Sequence, residues 1–192
     1  MTLADLIRRF RVLANDNAQP YFWADVDITD WLDDAQEQAC IRGRLLRDDS
    51  RESVCAIALT PGKATYKLHH KLYEIISIRL VPAGGRARPV SLKSREWLDA
   101  NHRDWRDCQR PAVTAIQDDT SIRVVGKVEV GDTLQMEVYR LPILSLADSD
   151  SPEIHGAHHK HLVLWALHKA FSIPDTEAFD AARADRAEAA FT

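Results

Sequence analysis

Five of the eight histidines fall between His155 and His168, at His155, His158, His159, His161 and His168. His155 and His159 stand four residues apart, a spacing that on an α-helix puts two imidazoles on one face, where they could share a zinc ion. A catalytic zinc site also needs a third ligand and a carboxylate base placed as in H-E-x-x-H. Gly156 follows His155, so that motif is absent. The cluster therefore reads first as a polar helical turn at a surface or subunit contact, and His155 with His159 as a metal pair is the weaker alternative.

Two other patterns fail at the positions that matter. Asp148-Ser-Asp-Ser opens in the manner of a calcium loop, but Glu153 stands in place of the turn glycine and His159 in place of the bidentate acid. His102-Arg-Asp104 has the order of a kinase catalytic loop, yet Gln109 takes the place of the asparagine and no glycine-rich loop accompanies it. No G-x-S-x-G, P-loop or dinucleotide fingerprint is present. Cys40, Cys55 and Cys108 are odd in number and widely spaced, with no C-x-x-C pair, which suits free thiols better than a disulfide framework or a zinc site. Arg8, Arg9, Arg11, Arg86 and Arg88 lie beside turns and on helix faces, where solvated charge is the commoner explanation. The expectation is a protein with no catalytic constellation and no cofactor.

The histidines sit on a segment that must be central to the fold. Leu162-Val-Leu-Trp-Ala-Leu167 leaves almost no polar face, so a helix over Ile154–Phe171 has to be covered on several sides. Ser151 is the expected N-cap, with Pro152 at the first helical position and Pro174 beyond the end. Immediately before it, Thr133–Leu141 alternates as a strand, with Leu134, Met136, Val138 and Arg140 on one face and Gln135, Glu137 and Tyr139 on the other.

Upstream, Leu3, Leu6, Ile7, Phe10 and Leu13 recur at helical spacing between a Thr2 cap and an Asn15-Asp-Asn17 stop. The aromatic connector Pro20-Tyr-Phe-Trp23 is expected to lie against the core. A second helix is predicted from Ile28 to Arg47 with Asp27 at its cap, and its arginines Arg42, Arg44 and Arg47 near the C-terminal end suit the helix dipole. From Ser53 the period changes. Strands are predicted over residues 54–59, 65–68, 72–81, 89–92, 112–116, 122–125 and 133–141, separated by turns at Pro61-Gly62, Gly84-Gly85, Asp118-Asp119 and Gly131-Asp132. Ser94–Asn101 interrupts them with a helical pattern, and Trp97 and Trp105 are expected to cover an open side of the sheet. The last helix, predicted over Asp175–Phe191, is rich in Ala, Asp, Glu and Arg, with Phe179 and Phe191 as its large apolar side chains.

A chain of 192 residues is long enough for one sizeable core and short for two, and 45% hydrophobic with 28% charged residues is an ordinary globular balance. The fold class expected is α+β, a central antiparallel β-region of sandwich or barrel type flanked by N-terminal helices and two C-terminal helices. Residues 1–192 are read as a single domain, with a helical part over 1–50, the β-region over 51–145 and the C-terminal helices over 150–192. A formal charge of −4 argues against a general nucleic-acid binder. Arg8, Arg9 and Arg11 break up any apolar leader, and no apolar run approaches the roughly 20 residues of a membrane span, so a soluble, intracellular protein is expected.

The order of features carries more than any single motif. A first helix is followed by Trp23-x-Asp25, then by Ile28-Thr-Asp-Trp-Leu-Asp-Asp-Ala-Gln36. A β-region follows with Thr60-Pro-Gly62 before Tyr66-x-Leu68, and its last strand ends in Tyr139-Arg-Leu-Pro142. The chain then runs through Pro152-Glu-Ile154 into His159-x-x-Leu162-Val-x-x-Ala166-Leu-x-x-Ala170-Phe171. Over nearly its whole length this resembles the head-to-tail adaptor proteins of tailed bacteriophages, also called connector or head completion proteins. One departure is Cys108-Gln-Arg-Pro111, where a glycine is expected shortly before the proline.

The resemblance implies a structural virion protein and not an enzyme: a ring, commonly of twelve identical subunits, that lies in the neck between the portal and the tail or nozzle proteins. Double-stranded DNA would pass through its lumen without specific binding and with no part for a membrane, and the chain would reside in the host cytoplasm during assembly. Twelve copies at −4 give a ring of about −48, which disfavours adhesion to DNA in transit. Within that picture the Ala-rich last helix is a candidate portal-docking arm through Phe179, Arg183, Arg186 and Phe191, whose removal with residues 175–192 is expected to abolish portal binding and spare the fold. The competing expectation is that Phe179 and Phe191 cover their own core. Two other functions are carried as alternatives, another neck or tail assembly protein of the tail-terminator kind, and a metal-dependent enzyme using the cluster from His155 to His168.

Overall fold

The computed structural model describes residues 1–174 and 177–192. In chain order its elements are α1 (Leu3–Ala14), α2 (Asp25–Gly43), β1 (Arg47–Asp48), α3 (Glu52–Cys55), β2 (Ala56–Ala58), β3 (Thr65–Lys67), β4 (Leu72–Val81) and β5 (Arg88–Leu92). They continue with α4 (Arg95–Asn101), β6 (Thr114–Gln117), β7 (Ser121–Val125), β8 (Thr133–Arg140), α5 (Leu146–Ser149), α6 (His159–Phe171) and α7 (Ala181–Phe191). Short 3-10 turns occupy Trp105–Asp107 and Gly156–His158. The class is α+β, as expected. Contacts divide the chain into two compact units, a helical one of Met1–Leu46 with Leu141–Thr192 and a β-unit of Arg47–Arg140.

In the helical unit α6 is the centre, as its all-round apolar composition requires. Leu162, Val163, Ala166, Ala170 and Phe171 are buried, and α1, α2 and α7 each pack on α6. Leu6 and Phe10 of α1 and Ile28, Leu32 and Ala35 of α2 complete the core. The Thr2 hydroxyl accepts the Asp5 N–H at 3.2 Å while the Asp5 carboxylate accepts the Thr2 N–H, a full capping box, and Asn15 ends α1 in the left-handed region at φ 64°.

Other boundaries correct the sequence reading. The second helix starts at Asp25 rather than Ile28 and stops at Gly43, because Arg44 turns left-handed at φ 50°. The central helix starts at His159, and Ser151-Pro152 is not its cap. Instead the Glu153 N–H is donated to Gln36 Oε1 on α2, a long-range partner that holds this stretch out of helix. The last helix starts at Ala181 behind an Asp180 cap. Glu177–Asp180 is not helical, and Asp175 and Thr176, within the predicted helix, lie outside the described residues.

The β-unit is built on β4 and β8, which pair antiparallel along most of their length with register shifts between Leu72 and Glu74 and between Ile75 and Ser77. Strand order is β1-β8-β4-β5-β6-β7-β3, with β2 also on β8. The buried row of β8 is the one its alternation predicts: Leu134, Met136, Val138 and Arg140. The sheet is not antiparallel throughout. β5 and β6 pair parallel, Ser91 opposite Thr114 and Leu92 opposite Ala115, because the chain crosses between them through α4. The predicted strand from Val54 is a helical turn as far as Cys55 and a strand only over Ala56–Ala58. Trp105 covers Leu98, Ile116 and Val125 as expected, whereas Trp97 stays 40% exposed.

Candidate functional site

The histidines do not assemble into one site. His155 precedes α6, and its Nδ1 accepts the Ala157 N–H at 3.2 Å at the start of the 3-10 turn, so the i, i+4 pair does not share a helix face. His159 is buried, with Nε2 2.9 Å from the Ile154 carbonyl and Nδ1 3.0 Å from the Met1 amino nitrogen; both ring nitrogens are engaged. His168, nine residues after His159, lies on the opposite side of α6, its Nδ1 3.1 Å from the Ala184 carbonyl of α7. Among the described residues no group of three or more His, Cys, Asp or Glu side chains is placed to hold a metal ion.

The last helix docks on its own unit by a narrow stripe. Ala184 and Ala187 are buried, and Phe191, one turn on, packs on Trp165 with ring centroids 5.2 Å apart. Small side chains at i and i+3 let the α7 backbone come close to α6, and the aromatic at the end closes the contact. Arg42 of α2 holds the same end, pairing with Glu188 at 3.1 Å and lying 4.8 Å over the Trp165 ring. At the other end Arg183 donates to the Leu13 carbonyl and stacks 4.0 Å over Phe171. Of the four proposed interface residues, Arg183 and Phe191 are thus used within the unit, whereas Phe179, 52% exposed, and Arg186 face solvent. Truncation before α7 would uncover the face of α6 around Trp165, so the melting temperature of such a variant is the measurement that decides whether the fold survives it.

Phe179 has company that sequence reasoning passed over. Arg11 is buried on α1, where it pairs with Asp16 at 2.6 Å and Asp25 at 2.5 Å, donates to the Trp23 carbonyl and lies over the Tyr21 ring. Asp16 in turn accepts the Phe22 N–H at 2.8 Å. These bonds fix residues 15–25 and tie the C-terminal end of α1 to the N-terminal end of α2. Trp23 packs on Phe10 at 5.5 Å and on Phe171 at 5.7 Å, and the Asp180 N–H is donated to the Phe171 carbonyl, so the end of α6 and the start of α7 meet the same point. Among the described residues, seven of the ten exposed large apolar side chains of the helical unit fall at these four helix ends or in the connector that joins two of them, among them Leu13, Phe22, Val26, Ile173 and Phe179. A concentration of this kind marks a contact surface; scattered apolar side chains do not. The signal in the sequence was Tyr21-Phe-Trp23: three consecutive aromatics in a short connector cannot all turn inward, and only Trp23 does.

Charge is divided as unevenly as apolar surface. The helical unit carries nine Lys and Arg against sixteen Asp and Glu, a formal −7, and the β-unit sixteen against thirteen, +3. Of the basic residues singled out by sequence, Arg8 pairs with Asp5, Arg11 is buried, and Arg86 and Arg88 belong to the β-unit.

Inside the β-unit the strongest electrostatic arrangement is internal. Asp48 Oδ2 accepts from Arg140 Nε at 2.7 Å, and its other oxygen accepts the Ser50 and Arg51 N–H groups at 3.1 Å. Burial alone would raise the Asp48 carboxyl, but the Arg140 hydrogen bond and the two backbone donors outweigh it and hold the group well below the usual carboxylate range. Next to it, burial and then the Asp48 charge push the Cys55 thiol up to about 11. A hollow of about 650 Å³ lies beside Trp105, with Leu98, Val113 and Val125 as apolar walls and both Arg103 and Asp104 at its edge.

No helix among the described residues is long and apolar enough to cross a membrane. A family model described as SU10 adaptor protein matches residues 1–192, the whole chain, so the chain belongs to that family and is a structural adaptor protein of a phage virion. No curated protein matches the sequence.

Proposed function

We propose that this member of the SU10 adaptor family works without catalysis, as a ring of identical subunits between the portal and the tail of a tailed phage, through which the DNA passes. The observation that carries this reading is the family match over the full chain, joined to a helical unit whose exposed apolar surface is gathered at one end. Such surface is what an assembly partner needs and what an isolated protein has reason to avoid. Phe179 and Arg186 face the portal in this reading, while Arg183 and Phe191 hold α7 in position to present them. A net charge of −4 per copy keeps the ring from adhering to DNA as it slides past.

Native mass spectrometry tests the proposal directly, with the chain alone and mixed with the portal ring encoded by the same virus. The expected result is a complex of fixed stoichiometry, near twelve copies of the chain per portal ring. Absence of any complex under conditions where the portal ring itself stays intact overturns it.

A further inference from the structure

The end of the helical unit offers more than a place for Phe179, because its chemistry defines what it can hold. Four helix ends converge there: the last turns of α1 and α6 and the first turns of α2 and α7, tied by the Arg11–Asp25 pair, the Trp23–Phe171 contact and the Arg183–Leu13 hydrogen bond. Leu13, Phe22, Val26, Ile173 and Phe179 are exposed on them, Val26 at 64%. Asp27, Asp30 and Glu177 stand around this surface, exposed or partly so, with no ion-pair partner among the described residues. Of the cations near this end, Arg11 is spent on Asp16 and Asp25, and Arg183 on Leu13 and Phe171; Arg9, one turn back on α1, and Arg186, in the second turn of α7, are exposed, so the acids Asp27, Asp30 and Glu177 still outnumber the exposed cations.

From this geometry we infer that the convergent helix ends form the portal-docking surface, and that its occupant is a portal segment presenting apolar side chains flanked by Lys or Arg. The inference rests on the adaptor reading given above. A second copy of the chain is the poorer occupant. Two such ends placed face to face would set acid against acid across an apolar contact, a costly arrangement. The β-unit has the opposite sign, but its exposed large apolar side chains, Ile76, Trp97, Val113 and Val130, sit one apiece on β4, on α4, ahead of β6 and in the turn before β8, with no gathered surface to offer. An apolar centre with an unpaired acidic margin instead calls for a partner of complementary sign, bound by the aromatic anchors and steered by the charge.

The test compares portal-ring binding by the intact chain with that of the double variant Val26→Asp with Phe179→Asp, and of a control, Ile41→Asp, on the far end of α2. Val26 lies in the first turn of α2, where an added carboxylate suits the helix dipole, so the double variant is expected to keep its melting temperature. The expected result is at least a tenfold loss of portal affinity for the double variant, little change for Ile41→Asp, and weaker binding by the intact chain as salt is raised. Asp27→Lys with Asp30→Lys gives a second reading of the charge and should lower affinity severalfold. Equal binding by folded wild type and double variant overturns the assignment of the surface and leaves the adaptor function standing. No binding by the wild type overturns both. A double variant that instead abolishes self-association of the free chain, at unchanged portal affinity, makes a second copy the occupant and overturns the inference.

Discussion

At the scale of single residues, Asp48 shows how a polar group deep in a small sheet is made stabilising. Its side chain and that of Arg140 are both nearly closed to solvent, so neither can exchange its partner for water. Replacing Asp48 with Ala removes a carboxylate from the buried Arg140 guanidinium and frees the turn at Ser50 and Arg51; a loss of about 3–5 kcal/mol in urea unfolding at neutral pH is expected. The sign with pH follows from a depressed carboxyl. Its stabilisation is complete above the unfolded value of about 3.9 and is lost as pH falls from there toward the folded value. Wild type should therefore lose stability below about pH 4 more steeply than Asp48→Asn, which has no such group to protonate. Cys55 makes the companion case. A buried thiol raised to about 11 carries almost no thiolate at pH 7, and Cys40 is buried as well. Of the three thiols, only half-buried Cys108 should react promptly with a thiol reagent in the folded chain, and all three after denaturation; prompt labelling of Cys55 would contradict the burial described.

At the scale of elements, α7 and α6 divide what was readable from what was not. The α1 boundaries were legible because both caps are local: Thr2 and Asp5 answer each other across one turn, and Asn15 takes up the left-handed stop. The row of buried residues on β8 was legible for a like reason, since alternation is a property of the strand itself. The start of α6 was not, because what opposes helix at Pro152-Glu153 is a hydrogen bond to Gln36, 117 residues away in sequence. The parallel β5–β6 pairing has a signal in the sequence: a helix in the connection between two strands is what a parallel crossover requires. At the candidate surface, Phe179 was found by its type, while Phe22 and Val26 were missed because exposure at converging helix ends is a tertiary fact. The alanine stripe of α7 admits no bulk, so Ala187→Leu should cost about 1–3 kcal/mol by overpacking against α6. Tryptophan fluorescence during unfolding reads the effect at Trp165, against which the end of α7 is packed. A variant as stable as wild type would mean that α7 is only loosely seated.

At the scale of the whole molecule, the division of sequence between the two units makes one further point testable. The β-unit is an insertion in the helical one, entered after Leu46 and left before Leu141. Its entry and exit strands, β1 and β8, are antiparallel neighbours with Arg47 opposite Tyr139, so the two ends of the insert lie about 5 Å apart. Ends that close impose little closure cost on either piece. Residues 47–140 expressed alone should unfold cooperatively with native-like sheet dichroism, and the helical unit should fold when Leu46 and Leu141 are joined by a few Gly and Ser residues. An uncooperative transition in both pieces would show that the units depend on each other for stability. With both folded, the charge division gives the experiment its second use. The helical piece carries the formal −7 and all of the converging helix ends, so it should bind the portal ring with the affinity of the full chain. A folded helical piece that fails to bind, beside a full chain that does, would assign part of the docking chemistry to the +3 β-unit.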